Sequence, residues 1–270
     1  IMHRLFMRVK NPQSIGRKLS HKGDNYRPDG KKLQDAIGLR VVLYFPEDVE
    51  ILSFFLSCRG VVKEVVDEPD ATTFRPQRLN LTHRLPEPMR EAFRRALPPD
   101  VAPLIDDTYE IQIRTIFSEG WHEVEHDLRY KCHADWAGCD SYSRKLNGLF
   151  ATLETAEWAM QSLFSEMAQK NRADGNYAAM LRNRMRIRLQ SEDFSPAVAQ
   201  HLEANPAVAD ALMQADRMVL LLTLLNHRAA LRLDHDHLLF LVNRIELQDP
   251  AVSALESEAV CRELDAFFRD

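Results

Sequence analysis

The 270-residue sequence contains no stretch of about 18 uncharged apolar residues, the length that a membrane-spanning helix requires. Its four cysteines, Cys58, Cys132, Cys139 and Cys261, form no CxxC pair, which indicates reduced thiols rather than a disulfide framework. The opening segment IMHRLFMRVK is too short and too basic for the apolar part of a secretory signal. These absences predict a cytoplasmic protein with no membrane partner.

Acidic residues slightly outnumber basic ones, 40 to 35, but the basic residues are concentrated at one end. The net charge is −5, yet residues 1–34 carry nine Lys or Arg and two Asp. That segment therefore has a charge of +7, which leaves −12 for the rest. A basic patch on an acidic protein favours a compact anion such as a polyphosphate over a long nucleic-acid track, and no DNA partner is expected. A solvated basic face fits the same charges.

The first half of the chain alternates between strand and helix patterns. Strands are predicted near residues 5–10, within 35–45, and at 60–67, 79–85 and 108–115, with helices after Asn11 and at 47–58 and 87–97. The strand at 108–115 has a period of two. One side presents Tyr109, Ile111 and Ile113, and the other presents Glu110, Gln112 and Arg114. We predict that the first side joins the core and the second carries chemistry.

Helical patterns dominate from Ile116 onward, with long stretches near residues 116–131, 141–170 and 174–190. The sequence therefore predicts an α+β fold, a mixed β-sheet flanked by helices and followed by a helical C-terminal region. Helix-interrupting residues near 132–140 place the boundary between domains 1–135 and 136–270. The C-terminal helices are candidates for packing, partner binding or homo-oligomer formation.

Three groups of polar residues are candidates for phosphoryl-transfer chemistry, which needs cations for phosphate oxygens, carboxylates for magnesium and an aligned nucleophile. The second group surrounds a glycine that permits close approach of a ligand. Acids on neighbouring central strands are able to share one magnesium ion. The groups are Arg8, Lys10, Ser14, Lys18 and Lys22; Asp35-x-x-Gly38-x-Arg40; and Glu110, Gln112 and Arg114.

Each group also has a plain interpretation. Lysines and arginines on helices are usually solvated. Asp35 fits a turn residue, and the polar side of residues 108–115 fits a face in contact with water. Only the order and spacing of the three groups together favour a functional site.

Together with a fourth block, these groups resemble a known family. The blocks are Arg8-Val-Lys10-x-x-x-Ser14-x-x-x-Lys18, Asp35-x-x-Gly38-x-Arg40-Val, Glu110-Ile-Gln-Ile-Arg-Thr115 and Trp121-x-x-x-Glu125-His126-x-x-x-Tyr130-Lys131. In this order they resemble the synthetase domain of RelA/SpoT proteins, especially the small alarmone synthetases. The resemblance covers roughly residues 4–131.

The resemblance implies a nucleotidyltransferase-like mixed sheet that moves the β,γ-pyrophosphate of ATP to the 3′-hydroxyl of GDP or GTP, with Mg²⁺ as cofactor. It assigns ATP binding to Arg8, Lys10, Ser14, Lys18, Lys22 and Arg40. It assigns magnesium binding to Asp35 and Glu110, catalysis to Glu110 and Gln112, and acceptor binding to His83 and Arg114.

One segment departs from the family pattern. The family has Gly-Tyr-x-Ser-x-His on the acceptor side, where this chain has Arg78-Leu-Asn-Leu-Thr-His83, so only the histidine is shared. Loss of the aromatic residue removes a base-stacking contact worth about 1–3 kcal/mol. Two interpretations follow: another acceptor, such as an adenine nucleotide or an RNA 3′ end, or a catalytically degenerate module that binds a nucleotide or a partner.

His122-Glu-Val-Glu-His126 also matches HExxH, the helix motif of zinc peptidases. A zinc peptidase needs a third ligand, and residues 127–131 provide no histidine. The peptidase is therefore a remote alternative, because the same residues fall in the RelA/SpoT-like block.

Overall fold

The computed structural model describes residues 2–21, 26–66, 79–227 and 231–269, so Lys22 and Arg78 lie outside the described residues. The chain divides into two compact units, Met2–Glu157 and Trp158–Asp270. The domain boundary predicted between residues 135 and 136 stays a prediction.

The first unit is built on a mixed five-stranded sheet, as predicted. Its described strands are β1 (Met2–Val9), β2 (Ile37–Leu43), β3 (Val61–Val66), β4 (Leu79–Arg84) and β5 (Thr108–Thr115), in the order β1-β2-β5-β4-β3. The central pair, β2 and β5, is parallel, and the other pairs are antiparallel.

Helices flank this sheet at the positions that the sequence predicts. They are α1 (Pro12–His21), α2 (Pro46–Ser57), α3 (Glu87–Ala96) and α4 (Ile116–Glu125), with short 3₁₀ segments at Ala102–Leu104 and His133–Trp136. The boundary between the two units falls within the next helix, α5 (Asp140–Ala173). The stretch predicted as one helix at residues 116–131 is α4 followed by a π-helical turn, His126–Tyr130. The two segments follow each other without a break, so the prediction of a helical stretch is confirmed.

Alternation along the strands produces the core beneath α2. The buried side chains Val41, Leu43, Leu81, Ile111 and Ile113 pack together, and residues of α2 cover them. Since side chains of a strand alternate between faces, this packing turns the even-numbered residues of β5 to the opposite face. The predicted division of β5 into a core side and a polar side is confirmed.

A smaller core fixes the segment before β2. Ile15 of α1 packs with Leu33, Ala36 and Ile105. The backbone of Leu33 donates to Leu104 O at 2.8 Å, and Asp106 N donates to Leu33 O at 2.9 Å. Asp35 is thus held between two buried anchors, Leu33 and Ala36.

The second unit is helical, as predicted for the C-terminal region. Beyond the end of α5 it contains α6 (Tyr177–Met185), α7 (Pro196–Ala204), α8 (Pro206–Gln214), α9 (Arg217–Asn226), α10 (His235–Val242), α11 (Pro250–Ser253) and α12 (Glu258–Phe267), with a π-helical turn at Asn243–Leu247. The helix predicted to reach residue 190 ends at Met185, because Arg186 adopts a left-handed conformation with φ of 50°.

No helix in the described ranges is long and apolar enough to cross a bilayer. The homo-oligomer suggested for the C-terminal helices stays a prediction.

Candidate active site

The register of the sheet places polar residues of different strands side by side on the face opposite α2. Arg8 of β1 is paired with Gly38 of β2, Gly38 with Glu110 of β5, and Glu110 with Thr82 of β4. A Cβ added at Gly38 would come no closer than 4.0 Å to Arg8 O, so packing within the protein does not require glycine there. Because Gly38 has no side chain, it leaves a strip of bare sheet surface between the cation Arg8 and the carboxylate Glu110.

The carboxylate of Glu110 is held between two amides. Its Oε1 accepts a hydrogen bond from Asn80 Nδ2 at 3.1 Å, and its Oε2 accepts one from Gln112 Nε2 at 2.9 Å. An ionised carboxylate offers about two lone pairs on each oxygen. Glu110 therefore keeps acceptor capacity for a proton or a cation while both its oxygens are fixed.

Two arginines orient those amides. Arg114 Nη2 donates to Asn80 Oδ1 at 2.9 Å, and Arg40 Nε donates to Gln112 Oε1 at 2.9 Å. An arginine that binds the amide oxygen directs the amide nitrogen the other way, toward Glu110. The result is a continuous hydrogen-bonded row across β4, β5 and β2.

Arg114 contributes to this hydrogen-bonded row from a buried position. Its side chain is buried, and Nη1 also donates to Leu79 O at 3.1 Å and to Ile113 O at 2.8 Å. The family resemblance assigns Arg114 to acceptor binding. The structure shows its guanidinium engaged with Asn80 and the backbone.

Arg40 connects the row to α4. Its Nη1 donates to Glu119 Oε1 at 2.7 Å and also bonds Glu123. Burial opposes the charge of Arg40, but the bonds to Glu119 and Glu123 outweigh it and raise the pKa of the guanidinium. The arginine predicted to meet ATP is therefore paired with two carboxylates.

The start of α4 is fixed where it meets the sheet. Thr115 and Ser118 form a reciprocal capping box, in which the Thr115 side chain accepts from Ser118 N at 3.1 Å. The Thr115 hydroxyl also bonds the buried carboxyl of Glu157, and burial raises the pKa of Glu157. This cap sets the position of Glu119 one turn later.

Asp35 joins two of the predicted phosphate-binding lysines. Its Oδ2 accepts from Lys18 Nζ at 2.6 Å and from Lys10 Nζ. Burial opposes ionisation, but these two bonds outweigh it and hold the pKa of Asp35 below its usual value.

The two lysines differ in their surroundings. Burial lowers the pKa of Lys10, whose side chain is 20% exposed. Lys18 is 32% exposed, and its bond to Asp35 outweighs burial and raises its pKa. Lys10 is the cation that would gain more from a second negative partner, since its present one does not offset its burial.

The other oxygen of Asp35 fits a magnesium ligand. Among the described residues, Oδ1 is buried and has no hydrogen-bond partner. Mg²⁺ prefers oxygen ligands and commonly uses one or two carboxylates together with substrate phosphates. No group of three His, Cys, Asp or Glu side chains within the described ranges is placed to bind a metal. Asp35 thus suits a cation that arrives with its phosphates.

The remaining ATP-binding candidates lie around α1. Arg8 is exposed on β1, and Ser14 lies in the first turn of α1, four residues before Lys18. Asn11 Oδ1 accepts from Ser14 N at 2.8 Å. The side chain of Asn11 therefore partly caps the start of α1.

Comparison with known proteins identifies this part of the chain. Residues 7–135 match a family model described as a region found in RelA/SpoT proteins. These residues form a RelA/SpoT-type region. No curated protein sequence matches the chain.

Several solved structures are similar to the chain. A GTP pyrophosphokinase family protein from Streptococcus pneumoniae is 24% identical, with 67% of this chain and 80% of that chain covered and a TM-score of 0.43. Small alarmone synthetase 1 from Bacillus subtilis, bound to its product pppGpp, is 22% identical, with coverage of 61% and 79% and a TM-score of 0.41. Small alarmone synthetase 2 from Bacillus subtilis is 22% identical, with coverage of 61% and 82% and a TM-score of 0.43.

Within the RelA/SpoT-type region, His83 lies apart from the row around Glu110. It is paired with Tyr109 across β4 and β5, and the two rings stack with centroids 5.7 Å apart. His83 therefore faces the side covered by α2, where burial lowers its pKa. The acceptor-binding role expected of His83 stays a prediction, and strand alternation places Thr82 rather than His83 on the face of Glu110.

The HExxH residues make other contacts. His122 and His126 stack with centroids 5.7 Å apart, and Glu123 is bonded to Arg40. In the described part of the chain, these residues belong to no group of three potential metal ligands. Nothing in this arrangement favours the zinc-peptidase alternative.

Sequence reasoning missed three residues of the site, Asn80, Glu119 and Glu123. Asn80 lies in a segment that the family pattern marks as altered, so its side chain received no role. Glu119 and Glu123 are four residues apart on a helix and hence share a face, which is a detectable signal for one cationic partner.

Proposed function

We propose that the RelA/SpoT-type region transfers the β,γ-pyrophosphate of ATP to a hydroxyl group of a nucleotide or of an RNA 3′ end. The observation that carries this proposal is the Glu110 carboxylate, fixed by two amides beside the strip at Gly38. A fixed carboxylate with free acceptor capacity is what general-base activation of a hydroxyl requires.

ATP is proposed to bind along the basic side of that strip. Arg8 borders the strip, and Lys10 follows two residues later, where it meets Lys18 at Asp35. Phosphate oxygens carry more negative charge than one carboxylate, so a triphosphate competes well with Asp35 for the two ammonium groups. Ser14 and Arg40 complete the proposed ATP site, as does Lys22, which lies outside the described residues.

The reaction is a substitution at the β-phosphorus. The acceptor oxygen forms the new bond, the bond from the β-phosphorus to the bridging oxygen of the α-phosphate breaks, and AMP leaves with that electron pair. Glu110 receives the proton of the attacking hydroxyl, and Gln112 keeps the carboxylate in place. Asp35 and Glu110 are the proposed magnesium ligands; when bound, magnesium neutralises charge on the phosphate oxygens.

The acceptor side of the site is polar rather than aromatic. On the face of Glu110, β4 presents an amide at Asn80 and a hydroxyl at Thr82. Leu79 and Leu81, which stand where the family has tyrosine and serine, pack into the core under α2. GDP and GTP remain candidate acceptors, and an adenine nucleotide or an RNA 3′ end needs no stacking tyrosine at this position.

The test is transfer of label from ATP labelled on the γ-phosphate. The purified chain is incubated with Mg²⁺, labelled ATP and, separately, GDP, GTP, ADP, ATP or bulk tRNA. Labelled acceptor together with an equal amount of AMP is the expected result. Glu110→Gln and Asp35→Asn serve as inactive controls. Phosphate release without labelled acceptor, or unchanged transfer by Glu110→Gln, would contradict the proposal.

A second candidate is a non-catalytic nucleotide-binding module on the same fold. The observation that favours it is the pairing of Lys10 and Lys18 with Asp35, which gives each cation a partner without a ligand. Calorimetry with Mg²⁺-ATP separates the two candidates: binding without transfer to any acceptor supports the module, and transfer excludes it.

A further inference from the structure

We infer that Asn80 is the positioning residue of Glu110, and that Arg114 acts through Asn80 rather than on the acceptor. This inference rests on the proposed function and adds a residue that the altered β4 segment contributes to it. Arg114 Nη2 donates to Asn80 Oδ1 at 2.9 Å, and Asn80 Nδ2 donates to Glu110 Oε1 at 3.1 Å.

The direction of these bonds assigns the roles. The guanidinium of Arg114 has only hydrogen-bond donors, so the atom of Asn80 that it binds is the amide oxygen. That bond leaves the amide nitrogen to donate, and its partner is the carboxylate. Because Arg114 is buried and also bonded to two backbone carbonyls, it is a fixed reference for the amide.

The two carboxylate oxygens of Glu110 are held in the same way, each by an amide that an arginine orients. On the β2 side, Arg40 orients Gln112, which donates to Oε2; on the β4 side, Arg114 orients Asn80, which donates to Oε1. One amide alone leaves a carboxylate free to rotate about its last side-chain bond. Two amides on different strands fix both oxygens, and they do so on rigid elements of the sheet.

Asparagine is the residue type that this position requires. Aspartate has nearly the same shape but no donor, and it places a second negative charge against Glu110. Alanine removes the donor without adding charge. A side chain that merely fills space would tolerate aspartate better than alanine, whereas a positioning donor predicts the reverse order.

The kinetic test compares Asn80→Ala with Asn80→Asp. We expect kcat to fall about 10-fold in Asn80→Ala, the scale of one lost hydrogen bond, and about 100-fold in Asn80→Asp, with KM for ATP changed less than about threefold. Asn183→Asp, the same chemical change in α6, where Asn183 bonds Ala179 O, is the control and should keep wild-type kcat. An Asn80→Asp variant as active as Asn80→Ala, or a loss confined to KM, would overturn the inference.

A second measurement does not depend on transfer. In protein labelled with ¹⁵N on asparagine, the side-chain amide resonances of Asn80 are assigned by their loss in Asn80→Ala. They should move in Glu110→Ala, while those of Asn147 and Asn183 stay in place. Unmoved Asn80 resonances would refute the contact. A moved resonance in a chain that transfers nothing would refute the proposed function and leave the contact standing.

Discussion

The two faces of one strand are stabilised in different ways. On the covered face of β5, Ile111 and Ile113 are fixed by apolar packing under α2. On the open face, Glu110 and Gln112 are fixed by hydrogen bonds that reach β4 and β2. Packing tolerates small shifts of each side chain, whereas hydrogen bonds depend on atom type and direction. The covered face therefore contributes to stability, and the open face carries the residues proposed for chemistry.

The largest effect is expected from a substitution that changes only the open face of β5. Glu110→Gln keeps the shape of the side chain but removes the carboxylate that receives the proton, so transfer should fall about 10³-fold. The melting temperature should change little, because Glu110 lies outside the apolar core. Labelled transfer and thermal melting measure the two quantities. The matched control is Glu64→Gln on the exposed part of β3. A large fall in melting temperature would show that the faces are not separable.

The next largest effect is expected from a substitution in the apolar core on the covered face. Leu81 is 0% exposed and packs in the core of the sheet, so Leu81→Ala should lower the free energy of unfolding by about 2–5 kcal/mol. Leu149→Ala, at a 60% exposed position of α5, is the control and should cost far less. Urea unfolding gives both values. Equal losses in the two variants would contradict the assignment of the core.

A substitution at His83 tests whether this histidine acts on the covered face or on the open face of the sheet. Since burial lowers its pKa, the unfolded chain binds more protons than the folded chain below the usual value of 6.5. Stability should therefore fall as the pH drops below 6.5, and His83→Leu should remove that part of the loss. Unfolding at pH 7.5 and at pH 5.5 gives the comparison. If KM for the acceptor instead rises about 10-fold or more in His83→Leu, the histidine serves the open face after all.

The smallest expected effect sharpens the role of Arg40. Glu123 is 53% exposed, so Glu123→Gln should change stability by less than about 1 kcal/mol. It leaves Arg40 with one carboxylate partner, Glu119, and should lower KM for ATP about twofold if Arg40 meets the nucleotide. Steady-state kinetics measure KM, and Glu91→Gln on α3 is the control. An unchanged KM would separate Arg40 from ATP binding.

Most of the fold was predictable from local patterns. The period of two at residues 108–115 identified both faces of β5, and the helical periodicity identified the C-terminal region. Element ends were less predictable. The helix expected to reach residue 190 ends at Met185, because a left-handed Arg186 terminates it and nothing in the residue type requires that conformation.

The site was predictable where residues share an element. Glu110 and Gln112 were assigned together because they are two apart on one strand, and the structure places them in hydrogen-bond contact. The face of His83 was not predictable, because its register against β5 decides which side it takes. Asn80 received no role because its partners, Arg114 and Glu110, lie about 30 residues along the chain.

The sequence alone determined which residue types alternate along each strand, where basic charge gathers, and which family the motifs resemble. Tertiary packing determines that Asn80 shares a face with Glu110, that His83 does not, and that Asp35 binds both lysines. The physical reason is that alternation is local to one strand. The pairing of strands and the direction of each hydrogen bond depend on segments that meet only when the chain has folded.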